Sequence, residues 1–188
     1  MSSRILRTRI GTDLRTRRVA VVSAVGAILA TLAVAPVAWA GASHRNVQIL
    51  DDCDAETFNA AIGEGACVKD GGVTFDEFIG QLITRGEAPA WRFAPENLKL
   101  NAGGTVTASN RGGEFHTFSE VAAFGGGCVA ELNELLGLEP VPECAIGDIF
   151  ETTGVPPGGN RTTGPLAGGT HRFQCLIHPW QRTTVQAR

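Results

Sequence analysis

Basic residues are scarce over most of this 188-residue chain. Lys occurs twice against 14 Arg, and six of those Arg (Arg4, Arg7, Arg9, Arg15, Arg17, Arg18) fall within the first 40 residues. The remainder carries ten basic against 18 acidic residues, a net charge of about −8 where the whole chain has −3. So acidic a surface excludes the phosphate-neutralising footprint of a nucleic-acid binder and suits a soluble protein or a basic partner. Aromatic residues are few and no internal repeat is visible, so the length fits one domain with an appendage. The preference for Arg over Lys hints at a GC-rich bacterial genome.

The first 40 residues form a targeting pattern. The six Arg precede an apolar run over residues 19–37, and Ala38-Trp39-Ala40 is a small-x-small cleavage site, which together describe a signal peptide. The alternative is an uncleaved anchor, because the run approaches the ~20 residues that span a bilayer. Thr16-Arg17-Arg18 also fits a loose twin-arginine signal, although the hydrophobic residues that usually follow one are weak here. Cleavage places the mature protein outside the cytoplasm, in the periplasm, in the cell envelope or secreted, with no stable membrane insertion.

All five cysteines, Cys53, Cys67, Cys128, Cys144 and Cys175, lie beyond that segment. Disulfides persist outside the cytoplasm, and an odd count leaves at least one thiol over. Sequential pairing, Cys53 with Cys67 and Cys128 with Cys144, is the simplest arrangement. Each bridge would close a loop of about 15 residues, worth roughly 3 kcal/mol in the chain-entropy account. It leaves Cys175 free, with His178 three residues on; the sequence leaves other pairings open.

Residues 41–52 are polar and read as a loose lead-in, with His44 a solvated tail residue. A short helix is expected over residues 55–62, then turns, then the clearest helix of the chain over 74–85. Phe75, Phe78, Ile79, Leu82 and Ile83 share one face there, Thr74 and Glu77 form a capping box, and Gly86 is a fitting stop. The stretch KDGGVTFDEF imitates half of a calcium-binding loop, but the first and third loop positions hold Ala66 and Val68, which carry no side-chain oxygen. From Trp91 the texture becomes short alternating strands with Gly and Pro turns: residues 98–100, 105–108, 115–121 with His116, 170–175 and 182–186. Residues 124–142 interrupt it as a loop insertion with a helical stretch over 129–136. This pattern predicts a mainly β fold, a sandwich or barrel.

Near the C-terminus, FQCLIHPWQ places a thiol, an imidazole and an amide at Cys175, His178 and Gln181. With His116 upstream, this is the ligand set of a mononuclear electron-transfer copper site: one thiolate, two imidazoles and one weak axial donor. His171, four residues before Cys175, reads as structural because the set is complete without it.

The segments FAPENLKLNAGGTVTASNRGGEFHTF and GGTHRFQCLIHPWQRTTV resemble the cupredoxins, the blue (type 1) copper family of plastocyanin and amicyanin, over residues 93–188. The resemblance implies a Greek-key β-sandwich or barrel, with one ligand on an internal strand and the rest on a Cys-x-x-His-x-x-Met loop. The Pro after His178 matches the compact amicyanin-type loop. Gln181 stands where the family usually has Met, as in the stellacyanin branch, and its harder oxygen would favour Cu(II) and lower the reduction potential. Thr117 stands where the family often hydrogen-bonds across to the ligand loop. Residues 41–92, a helical, disulfide-containing appendage, have no counterpart in the minimal family, and residues 124–142 would be a disulfide-stapled insertion. The resemblance further implies a monomeric electron carrier holding one Cu(I)/Cu(II) ion, and a four-coordinate site lacks the open position that metal catalysis needs, so no enzyme is expected. Redox partners would dock briefly near Pro179 and Trp180, at a solvent-facing edge of His178, although Trp180 suits core packing equally well. The same ligands would also serve a copper-sequestering or copper-delivery protein, or sit incidentally in a structural or sensory module.

Overall fold

The computed structural model describes residues 43–188. The targeting segment expected over residues 1–40 lies outside the described residues. Among the described residues no helix is long and apolar enough to cross a membrane.

The fold is mainly β, with ten strands among the described residues. One sheet has the order β2-β1-β4-β8, from β1 (His44–Leu50), β2 (Arg92–Ala94), β4 (Thr105–Asn110) and β8 (Asn160–Thr162). A second has the order β3-β10-β9-β6, from β3 (Asn97–Leu100), β6 (Ser119–Val121), β9 (Gly169–Gln174) and β10 (Arg182–Ala187). A small ladder joins β5 (His116–Thr117) to β7 (Gly154–Val155). β1 runs parallel to β4 and β10 parallel to β3, and the other ladders are antiparallel.

Alternation decides which face each strand buries. β4 and β10 both alternate half-buried and buried positions, placing Val106 and Ala108 from one sheet and Val185 and Ala187 from the other in a single core. Phe118 stacks on Phe173 with ring centroids 4.4 Å apart and meets Phe93 at 5.5 Å. Each large apolar side chain buried this way contributes roughly 1.5–3 kcal/mol relative to exposure.

The lead-in expected over residues 41–52 is corrected by this sheet. His44–Leu50 is a strand lying between β2 and β4, and Val47 and Ile49 are wholly buried. Only these two inward positions mark HRNVQIL as a strand, and its partners lie some 45 to 60 residues downstream. His44 remains exposed but is held, with Nδ1 2.9 Å from Oγ1 of Thr105.

A second, aromatic core joins the helical segment to the insertion. α1 (Ala55–Ile62) is N-capped by Asp54, whose carboxylate accepts from the N–H of Thr57. α2 (Phe75–Arg85) has the expected capping box from Thr74 and Glu77 and ends on Gly86 in the left-handed conformation, so Glu77 serves the helix start. Phe58, Phe78, Leu82, Ala88 and Trp91 are buried together, with Leu132 and Leu136 of α3 (Ala130–Leu136) and Trp180 packed against them. Ile83, expected on the buried stripe of α2, is exposed. A short helix, α4 (Ile149–Thr153), leads into β7. The disulfides are Cys53–Cys67 and Cys128–Cys144, and Cys175 is free and buried.

Candidate metal centre

Three elements deliver the donor atoms. His116 opens β5, Cys175 directly follows β9, and His178 and Gln181 lie in the loop between β9 and β10. The loop is closed by its own backbone: the Cys175 N–H donates to the Gln181 carbonyl (3.0 Å), and the Gln181 N–H to the His178 carbonyl (2.9 Å). Thr117 ties it to the neighbouring strand, its hydroxyl accepting from the Leu176 N–H at 2.8 Å. The insertion holds it from another side, because the Cys128 N–H donates to the Leu176 carbonyl. Gly127 is needed there: a Cβ at that position would come within 2.3 Å of the Leu176 oxygen.

Sγ of Cys175 lies 3.8 Å from Nδ1 of His116 and 3.8 Å from Nδ1 of His178, and the two nitrogens are 3.2 Å apart. The centre of that triangle is about 2.1 Å from each corner, close to the ~2.0–2.3 Å of imidazole and thiolate bonds to a first-row metal. All three residues are buried. Backbone N–H groups of Thr117 (3.4 Å) and His178 (3.5 Å) point at the sulfur and favour its thiolate form. Burial alone would push the Cys175 thiol up, but the hydrogen bonds and charges of the two imidazoles bring it well below the usual thiol range.

Gln181 is wholly buried, and its Nε2 donates to the Leu50 carbonyl at 3.0 Å, which leaves Oε1 buried with no partner. An orphaned buried amide oxygen is costly unless something accepts its lone pairs. Met1 is the only methionine in the chain, so the described residues offer no thioether donor beside Gln181. Two imidazoles, a thiolate and one weak oxygen donor therefore fit a mononuclear copper ion.

Sequence reasoning missed the groups behind the imidazoles. Nε2 of His116 lies 2.7 Å from Oδ2 of Asp51, and both side chains are fully buried. Asp51 also accepts from the backbone N–H groups of Gly113 (2.8 Å) and Glu114 (3.2 Å). Gly112 makes this cradle possible, since a Cβ there would sit 1.7 Å from the carboxylate. Burial opposes the Asp51 charge, but His116 and these N–H groups outweigh it and hold the carboxyl below its ordinary value. Burial likewise opposes a proton on His116, yet Asp51 and Cys175 raise it to about 10. Behind His178, Oε2 of Glu114 is 3.6 Å from Nε2 and accepts from the Trp91 indole N–H. Burial pushes the Glu114 carboxyl up, against the pull of His178 and Trp91. Glu114 was discoverable, two residues before His116 at strand spacing. Asp51 lay in the segment read as a lead-in.

The residues expected at a docking edge are largely enclosed. His178 is 3% exposed, Pro179 is buried, and Trp180 is half-buried, its ring 5.9 Å from Phe78 and its indole N–H donating to the Ala88 carbonyl. The helical segment covers this edge of His178. His171 stands apart from the cluster, as expected, with Nδ1 2.6 Å from Glu120 and Nε2 2.9 Å from the Ala167 carbonyl.

No family model and no curated protein matches this chain. Among solved structures it is similar to a purple cupredoxin from Nitrosopumilus maritimus, with 15% identity and a TM-score of 0.42, covering 77% of this chain and 99% of that one. Plastocyanin from Dryopteris crassirhizoma aligns at 11% identity and TM-score 0.36 over 76% and 99% of the two chains. Amicyanin from Paracoccus versutus aligns at 13% and 0.34 over 52% and 73%. The metal reading rests on the donor geometry and not on these likenesses.

Proposed function

We propose that this chain is an exported mononuclear type 1 copper protein, not an enzyme, that carries single electrons between redox partners as a monomer. The observation that carries this is the buried triangle of Cys175 Sγ, His116 Nδ1 and His178 Nδ1 beside an unpartnered Gln181 Oε1. Copper, when bound, would supply a one-electron Cu(I)/Cu(II) couple. Cys175 offers a thiolate already stabilised by two N–H groups. Asp51 fixes the ring of His116 so that Nδ1 faces the sulfur, and Thr117 fixes the loop that carries the other donors. Gln181 would offer a hard amide oxygen, which would favour the oxidised ion. A scaffold fixed on so many sides keeps its donors in place in both oxidation states. Of the expected docking patch only Trp180 reaches the surface, so partners would approach the covered end beside it.

One observation favours a second reading, copper sequestration: both imidazoles are buried, which suits retention over exchange. Spectroscopy and voltammetry of the copper-loaded protein separate the two. Electron transfer predicts an intense thiolate-to-Cu(II) band, narrow EPR hyperfine splitting and reversible voltammetry. A pale site that reduces irreversibly supports sequestration, and a preference for zinc overturns both.

A further inference from the structure

An apolar cleft of about 630 Å³ opens between α2 and α3, with α1 at one end. Ile62 and Leu135 on its rim are 56% and 40% exposed, whereas Glu114 and His178, at 6% and 3%, form its floor. That volume lies within the roughly 300–1,000 Å³ of small-molecule sites, and an apolar wall with one or two polar groups at its end is their usual construction. Phe75 and Leu132 line the sides. The floor carboxylate is only partly used. Oε2 of Glu114 takes the Trp91 indole N–H, while Oε1 makes no hydrogen bond among the described residues.

We propose that this cleft binds a small neutral phenol, its ring between the apolar walls and its hydroxyl donating to Oε1 of Glu114. The chemistry of the walls selects this class. An anion would meet Glu114 on the floor and Glu131 on the lining. An ammonium would bring three donors to one free acceptor and leave the others unpaired against apolar carbon. A phenol brings one donor for one oxygen, and its ring suits a wall containing Phe58 and Phe75. The cleft is built by the aromatic core of the helical segment and α3, so binding does not depend on the copper reading.

The test is calorimetric titration of the full-length chain with thymol and with thymol methyl ether, which has the same skeleton and no donor. We expect saturable 1:1 binding of thymol and at least about tenfold weaker binding of the ether, as loss of a hydrogen bond to a buried carboxylate requires. Glu114→Gln weakens thymol and narrows its advantage over the ether. Should that variant not fold, Leu135→Glu, at an exposed rim position, weakens thymol at least about tenfold by charging the wall. Equal affinity for phenol and ether overturns the proposal, as does thymol binding indifferent to Leu135→Glu. A concentration-dependent dimer that Leu135→Glu dissolves, with no thymol bound, would assign the cleft to a second copy of the chain and overturn it as well.

Discussion

On the strand side of the donor cluster His116 is fixed by charge, and on the helical side His178 is fixed by packing. Nε2 of His116 meets a carboxylate at 2.7 Å that backbone N–H groups hold in turn. Nε2 of His178 lies 3.6 Å from Glu114, and its ring is instead enclosed by Phe78 (6.2 Å), Trp91 (6.4 Å) and Trp180 (5.4 Å). The difference separates two jobs that one scaffold must do. The strand side holds its imidazole with a close carboxylate, and the helical side encloses its imidazole mainly with aromatic rings.

The largest expected effect breaks the packed side. Phe78→Ala removes the ring that joins Phe58, Trp91 and His178, and should cost about 3–5 kcal/mol in urea unfolding. It should also raise the solvent exposure of His178 with little change in the surroundings of His116, which imidazole NMR resonances would show. Asp51→Asn breaks the charged side. Removing one member of a buried pair costs about 3 kcal/mol. Loss of a negative charge behind His116 should raise the reduction potential of the copper-loaded protein, by about 60 mV per tenfold loss in relative stabilisation of Cu(II). Gln181→Met should change stability by only about 1 kcal/mol, since it removes an orphaned oxygen as well as the bond to Leu50. Voltammetry should find its potential raised, and an unchanged potential would remove Gln181 from the ligand set.

The smallest effect lies outside both sides. Burial opposes a charge on His171, but the Ala167 carbonyl and Glu120 together outweigh it and raise its pKa. A raised folded-state value means the pair stabilises fully below the unfolded pKa near 6.5 and is lost as pH rises through the folded one. Glu120 is half exposed, so the gain is under about 1 kcal/mol. Urea unfolding of Glu120→Gln at pH 5.5 and 8.5 should show a smaller difference between the two pH values than the parent chain shows.

The packed and charged sides were unequally legible in the sequence. Cys175, His178 and Gln181 lie within seven residues, and local spacing was enough to propose them as one loop. The odd cysteine count, the Thr74–Glu77 box and the apolar face of α2 are local signals too, and the sequential disulfides are those the structure contains. Asp51 and β1 were illegible because their partners are remote: β1 pairs with β4 across some 60 residues, and Asp51 meets His116 across 65. The covering of His178 was hidden for a related reason. The amphipathic face of α2 showed that it packs on something, but nothing in its own sequence names Trp180 or the loop from Cys175 to Gln181 as the thing packed upon.

The burial of Cys175 has a consequence for how the chain must be made. A thiolate exchanges with any disulfide it can reach, and two bridges drawn from five cysteines admit many wrong pairings. In the finished fold Cys175 is 0% exposed and free. The Cys53–Cys67 bridge lies against Gly113, three residues before His116. Tertiary structure therefore limits scrambling, provided that Cys175 is enclosed faster than it can react.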